Sequence, residues 1–143
     1  MRVLVAEDNH TNQLVARAML QARGLIVELV DDGEPAVAAA LSGEFDAVFM
    51  DCQMPTLNGL DATRRIRAGG SRIPIIAMTA GAFDDDRRAC LEAGMDDFLP
   101  KPWKKQQLTD VLSRLAAQHR HAGPEVQDRE DPVGARPTFS TGS

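Results

Sequence analysis

Three carboxylates, a hydroxyl and an ammonium group stand at the ends of apolar runs. Asp51 closes the run Asp46-Ala47-Val48-Phe49-Met50 and opens the turn Cys52-Gln53-Met54-Pro55. Glu7 and Asp8 end Val3-Leu4-Val5-Ala6, Thr79 follows Ile75-Ile76-Ala77-Met78, and Lys101 follows the weaker run Asp96-Asp97-Phe98-Leu99. Open α/β sheets place their ligands beyond the C-terminal ends of the strands, so this pattern reads as one site. Carboxylates brought together repel, and a hard divalent cation relieves the repulsion. Mg²⁺ prefers about six oxygen ligands, a few from protein and the rest from water and phosphate. Glu7, Asp8 and Asp51 suit such a partial shell. The Thr79 hydroxyl can donate to a phosphoryl oxygen, Lys101 can pair with a carboxylate or a phosphoryl group, and the small Ala80 and Gly81 leave room for an incoming group. Asp51 is then the nucleophile that forms an acyl phosphate, with metal, lysine and hydroxyl stabilising charge on the transferring oxygens.

The elements that must position these groups alternate regularly. β-like runs are expected at Arg2-Ala6, Leu25-Leu29, Ala47-Met50, Ile73-Ala77 and Asp96-Leu99. Between them lie segments of helical period. Leu14, Val15, Ala18, Met19 and Ala22 form one apolar face, ended by Gly24. Helices are also expected over Glu34 to Leu41, with Pro35 in the first turn, over Leu57 to Arg67, over Asp84 to Glu92 and over Lys105 to Gln118. Crossovers of this length imply parallel strands. The fold class is α/β: a (βα)5 doubly wound parallel sheet of flavodoxin-like order 2-1-3-4-5, with strands one and three side by side. Residues 1-118 form the domain. Residues 119-143, rich in Gly, Pro, Ser and charge, read as a disordered tail or linker.

Bulk properties exclude several classes. The 143 residues are 43% apolar, enough for a real core, and the formal charge of −5 gives no support for nucleic-acid or membrane-surface binding. No apolar run approaches the roughly 18 residues that span a bilayer. The chain opens directly on a strand, so no signal peptide is expected. Cys52 and Cys90 are the two cysteines, without CxxC spacing; neither a zinc site nor a disulfide framework is expected, and a reducing, cytoplasmic compartment fits.

In their order and spacing these blocks resemble the receiver domain of two-component response regulators. The resemblance spans residues 2 to about 117. It rests on Val3-Leu4-Val5-Ala6-Glu7-Asp8-Asn9, on Met50-Asp51-Cys52-Gln53-Met54-Pro55 with Asn58-Gly59, on Ile75-Ile76-Ala77-Met78-Thr79-Ala80, and on Gly94-Met95-Asp96-Asp97-Phe98-Leu99-Pro100-Lys101-Pro102. It implies that Asp51 accepts a phosphoryl group from a phosphohistidine. It implies that Glu7 and Asp8 hold Mg²⁺, with Asp8 the direct ligand, and that the backbone carbonyl of Gln53 joins them. Thr79 becomes the switch hydroxyl and Lys101 the family's lysine. Phe98 stands where the family has an aromatic, often tyrosine, that moves with phosphorylation, and the Lys101-Pro102 peptide is cis in many relatives. The segment Met50-Asp51-Cys52-Gln53-Met54-Pro55 is most similar to receivers of hybrid sensor histidine kinases. The implied partners are therefore histidine kinases and histidine-phosphotransfer domains, docking on a surface that begins with Asn9, His10, Asn12, Gln13, Leu14 and Arg17, with Pro102-Trp103 on another rim loop. A monomer is the favoured state. Such a domain is a phosphoacceptor with limited self-phosphorylation and autodephosphorylation rather than an enzyme.

Other readings compete. A non-cycling, receiver-like adaptor is the main alternative, although such forms normally lack one of the groups present here. A phosphatase on a similar sheet needs an acid two residues beyond its nucleophile, where this chain has Gln53. Asp46 reads as a strand-start residue, Asp31-Asp32-Gly33 as a turn and helix cap, and Asp84-Asp85-Asp86 as a helix start. Asn58-Gly59 reads as a turn, with a positive φ at Gly59. Cys52 should point away from Asp51 by strand alternation, in a structural role. Trp103 is expected to anchor the last helix.

Overall fold

The computed structural model describes residues 1–80 and 84–122, with side chains omitted at 84–86 and 119–122. The chain divides into a unit Met1–Val111 and a unit Leu112–Ser143. The strands are β1 (Arg2–Ala6), β2 (Ile26–Val30), β3 (Ala47–Asp51), β4 (Ile75–Thr79) and β5 (Asp97–Pro100). They alternate with α1 (His10–Gln21), α2 (Gly33–Leu41), α3 (Gly59–Ala68), α4 (Asp84–Ala93) and α5 (Lys105–Ala122). α5 runs past residue 118, and the tail reading from residue 123 onward lies outside the described residues.

All pairings are parallel, as the crossover lengths imply, and the order β2-β1-β3-β4-β5 is the one expected of the doubly wound fold. β3 and β4 are buried at every residue and β1 at all but its first, because interior parallel strands are covered on both faces. The edge strands β2 and β5 are only partly buried. On one face Leu4, Ala6, Val48, Met50, Ile75 and Ala77 join a core with Ala36 and Ala40 of α2, Ala62 and Ile66 of α3, and Cys90 of α4. On the other face Phe49 is fully buried and its ring meets that of Trp103, with centroids 5.4 Å apart. That contact bears out the anchoring role. Full burial of a side chain of this size stabilises the fold by about 1.5–3 kcal/mol.

Strand boundaries moved for reasons the sequence hides. β4 begins at Ile75 rather than Ile73. Arg67 donates from Nη1 to the Ile73 carbonyl (2.7 Å) and to the Ser71 carbonyl (3.1 Å), and from Nε and Nη2 to the Gly94 carbonyl. Pro74 has no N–H, and the Ile75 N–H donates to Asp96 Oδ2 at 2.9 Å. The segment before β4 is thus held by side chains, and it also meets β3 through the Pro74 carbonyl, which accepts from the Val48 N–H at 2.9 Å. At the other end β3 includes Asp51 and β4 includes Thr79, since Asp51 pairs with Met78 and the Lys101 N–H donates to the Thr79 carbonyl at 2.7 Å.

The inward face of α1 also differs from the expected one. Ala16 and Leu20 are buried and Gln13 is half-buried, whereas Leu14 (43%) and Val15 (48%) are exposed, as are Ala18 and Ala22. Gln13 faces inward because its Nε2 donates to the Glu7 carbonyl at 2.6 Å. That bond fixes the helix rotation along positions 13, 16 and 20, and the more apolar stripe is left outside.

Candidate functional site

The register of the sheet assembles the site. Ala6 pairs with Met50 and Asp51 with Met78, so Glu7 and Asp51 emerge side by side from β1 and β3. Thr79 pairs with Pro100, and Lys101 follows directly. A cavity of about 670 Å³ opens here, and Glu7, Asp8, Asp51, Gln53, Thr79 and Lys101 all line it. Gly81 lies outside the described residues.

Charge is distributed unevenly. Glu7, Asp51 and Thr79 are buried, with exposures of 1%, 4% and 7%, while Asp8 is exposed. Lys101 Nζ lies 2.8 Å from Glu7 Oε1 and 2.8 Å from Asp51 Oδ2. The second oxygens are also engaged: Asn9 N–H donates to Glu7 Oε2 and Gln53 N–H to Asp51 Oδ1, each at 3.0 Å. Among the described residues no hydrogen bond or ion pair engages Asp8. Half-burial, the largest influence on Lys101, pulls its pKa down. The hydrogen bonds and negative charges of Asp51 and Glu7 outweigh that and hold it above the ordinary 10.5. The ammonium is therefore charged throughout the neutral range.

One ammonium does not balance the group. Oxygens of Glu7, Asp8 and Asp51 lie within 4.8 Å of one another, so three carboxylates face a single lysine. The donor set is all oxygen and partly open to solvent. It fits a hard ion of the Mg²⁺ type and lacks the nitrogen and sulfur ligands that zinc prefers. When bound, the ion supplies positive charge for the oxygens of a phosphoryl group.

Residues beyond the expected set shape this cavity. Asn9 caps α1 by accepting from the Asn12 N–H at 3.0 Å, and Asn58 caps α3 by accepting from the Asp61 N–H at 2.9 Å. Gln13 holds the Glu7 carbonyl, a role whose only trace in sequence is its place three and seven residues before Ala16 and Leu20. Asp32 does more than cap α2. Its Oδ1 accepts from the Gly33 N–H (2.5 Å) and the Leu57 N–H (3.0 Å), and its Oδ2 from the Thr56 N–H (3.2 Å). It thereby ties the loop after Asp51 to α2, over a separation that no local pattern reveals. Asp46 behaves as a strand-start residue, its Oδ2 accepting from the Arg2 N–H at 2.7 Å. Phe98 is half-buried, with the Arg87 guanidinium 5.0 Å above its ring. The Lys101-Pro102 peptide is cis, as the resemblance implies.

The Asp32 clasp is sensitive to acid. Burial is the largest single influence and pushes its pKa up. The Thr56 side chain and the backbone N–H groups of Leu57, Gly33 and Thr56 together hold it below the ordinary 3.8. A depressed carboxylate stabilises the fold above its unfolded pKa, and the stabilisation is lost as pH falls through the folded value. Urea midpoints measured at neutral pH and at about pH 3 should therefore fall further for wild type than for Asp32→Ala. Equal falls would mean that the clasp contributes nothing.

Comparison with known proteins agrees with this geometry. The family profile described as "Response regulator receiver domain" matches residues 3–113. The receiver domain of sensor histidine kinase PA1611 from Pseudomonas aeruginosa PAO1, solved with a magnesium ion coordinated in the active site cleft, is 48% identical. The two match with a TM-score of 0.74, over 81% of this chain and 97% of that one. Sensor protein GacS of Pseudomonas syringae pv. syringae is 37% identical over 149 residues, which cover 91% of this chain and 16% of that protein. A chain in the co-crystal structure of the Saccharomyces cerevisiae histidine phosphotransfer signaling protein Ypd1 and the receiver domain of its downstream response regulator Ssk1 is 28% identical. Its TM-score is 0.79, over 87% of this chain and 94% of that one. The chain thus spans under a fifth of the length of that sensor protein.

Proposed function

The chain belongs to the response regulator receiver domain family, and from that membership we propose a residue-level course for its phosphoacceptor reaction. A carboxylate oxygen of Asp51 attacks the phosphorus of a phosphohistidine. The new O–P bond forms as the N–P bond breaks, and the departing imidazole nitrogen takes up a proton from solvent. The observation that carries this reading is the Lys101 ammonium, held 2.8 Å from both Asp51 and Glu7 inside an all-oxygen cavity. It lies close enough to reach a phosphoryl oxygen once Asp51 has reacted, and the Thr79 hydroxyl donates to another. Asp8 and Asp51 would hold the metal directly, joined by the Gln53 carbonyl. Glu7, already bonded at both oxygens, would act through water. Arranging these charges before the phosphoryl group arrives lowers the barrier without reorganisation during transfer.

The donor is a histidine kinase or a histidine-phosphotransfer domain, consistent with the sensor histidine kinase receiver and the Ypd1 co-crystal. Its docking face is the outer side of α1. Leu14, Val15 and Ala18 are exposed there, next to Asn9 and Asn12 at the cavity mouth. Among the described residues no helix is long and apolar enough to cross a membrane. A cytoplasmic setting, where nucleotide-fuelled phosphohistidine donors and magnesium are at hand, goes with this reading.

Incubation with acetyl phosphate and Mg²⁺ should give one acid-labile phosphoryl group per chain, and excess chelator should abolish it. A chain that gains no label under any donor would instead be the non-cycling adaptor.

A further inference from the structure

Cys52 and Cys90 are distant in sequence but adjacent in space. Their Sγ atoms lie 3.6 Å apart across 38 positions, in an S–H···S contact, with no disulfide formed. Cys52 is the residue after Asp51. Alternation puts its side chain on the opposite face, where it packs against the core that contains Cys90 of α4. Cys90 is 2% exposed and Cys52 is half-buried, yet both residues line the cavity that holds Asp51 and Lys101. The pair therefore joins the loop after β3 to α4, on two sides of that cavity.

We propose that Cys52 and Cys90 form a reversible oxidation site, in which a hydroperoxide closes a disulfide across the cavity wall and slows phosphoryl entry to Asp51. The Cys52 thiol, the more accessible, attacks the peroxide and becomes a sulfenic acid with release of water. The Cys90 thiol then displaces a second water to give the S–S bond. In sum, two thiols and one hydrogen peroxide yield one disulfide and two waters. A bonded pair sits at about 2.05 Å, so the sulfurs must close by roughly 1.5 Å. The Cys52 backbone takes part of that motion, and it is anchored to the site: its carbonyl accepts from the Gly59 N–H at 3.1 Å and its N–H donates to the Met78 carbonyl at 3.3 Å. Misplacing a positioned group by about 1 Å can slow a reaction by up to about 10²-fold. Disulfides in reducing compartments are mostly transient and redox-sensing, which suits a bond made only under peroxide.

The test has two readouts, and the first does not depend on phosphorylation. Wild type treated with hydrogen peroxide should lose both titratable thiols, stay monomeric on a non-reducing gel and yield a peptide pair joined through Cys52 and Cys90. Dithiothreitol should restore the thiols. Cys90→Ser should give no such pair and should instead trap a Cys52 sulfenic acid with dimedone. The second readout is the rate of labelling by acetyl phosphate with Mg²⁺, expected to fall at least tenfold in the oxidised wild type and to recover on reduction. Thiols that resist peroxide, bonds formed only between chains, or a labelling rate indifferent to the disulfide would each overturn the proposal.

Discussion

Asp51→Asn should abolish the acid-labile phosphoryl group entirely, while leaving the fold intact. The carboxamide is isosteric with the carboxylate, and its oxygen can still accept from the Gln53 N–H now bonded to Oδ1. Lys101 keeps its bond to Glu7 Oε1 at 2.8 Å. What disappears is the anionic oxygen, and with it the nucleophile. The change also removes one of three clustered carboxylates, so thermal stability without metal should not fall. Mg²⁺ affinity should weaken by about tenfold, a loss of about 1.4 kcal/mol. Phosphate-affinity gels after acetyl phosphate treatment measure the first effect, and Mg²⁺ titration followed by Trp103 fluorescence the second. A variant that labels as wild type does would move the nucleophile to another residue.

Gly59→Ala should be the most destabilising single methyl in the site. A Cβ at Gly59 would overlap the carbonyl oxygen of Asp51, and would also press on the Asp51 carbonyl carbon and the Met50 side chain at 2.9 Å. Backbone cannot rotate away as a flexible side chain can, so the end of β3 or the start of α3 must move. A cost of about 3 kcal/mol, the top of the usual overpacking range, is expected. Because the displaced group is Asp51 itself, labelling should slow in parallel with the loss of stability. Gly43→Ala is the control: its φ of +80° strains any side chain, yet nothing lies within 4 Å of the added methyl. It should cost about 1 kcal/mol. If chemical denaturation shows Gly59→Ala to be the milder of the two, the close approach does not govern stability.

The same glycine separates what the chain states from what the fold decides. The sequence marks Asn58-Gly59 as a turn and invites a positive φ at Gly59. Among the described residues the glycines with positive φ are instead Gly24, Gly43, Gly70 and Gly94, and Gly59 is needed because β3 passes against the first turn of α3. Arg67 is a similar case. Nothing in its neighbours marks it, yet it binds the carbonyls of Ser71, Ile73 and Gly94 and sets where β4 begins.

Sequence alone determined that the strands run parallel, which strand ends carry Glu7, Asp51, Thr79 and Lys101, and the oxygen-rich chemistry of the site. Those follow from local rules. Apolar runs of strand length bury themselves, helical spacing between them forces parallel crossovers, and a charged residue closing such a run must emerge at the sheet's end. Only the tertiary structure decided which face of α1 is covered, which carboxylates Lys101 occupies, that Asp32 holds the loop after Asp51, and that Cys52 meets Cys90. Each of these depends on contacts between residues distant in sequence or on the rotation of one element against another. Local periodicity carries no information about which long-range hydrogen bond or close approach wins. At Asp51 the sequence points to the residue proposed to react, and the packing around it shows what holds that residue in place.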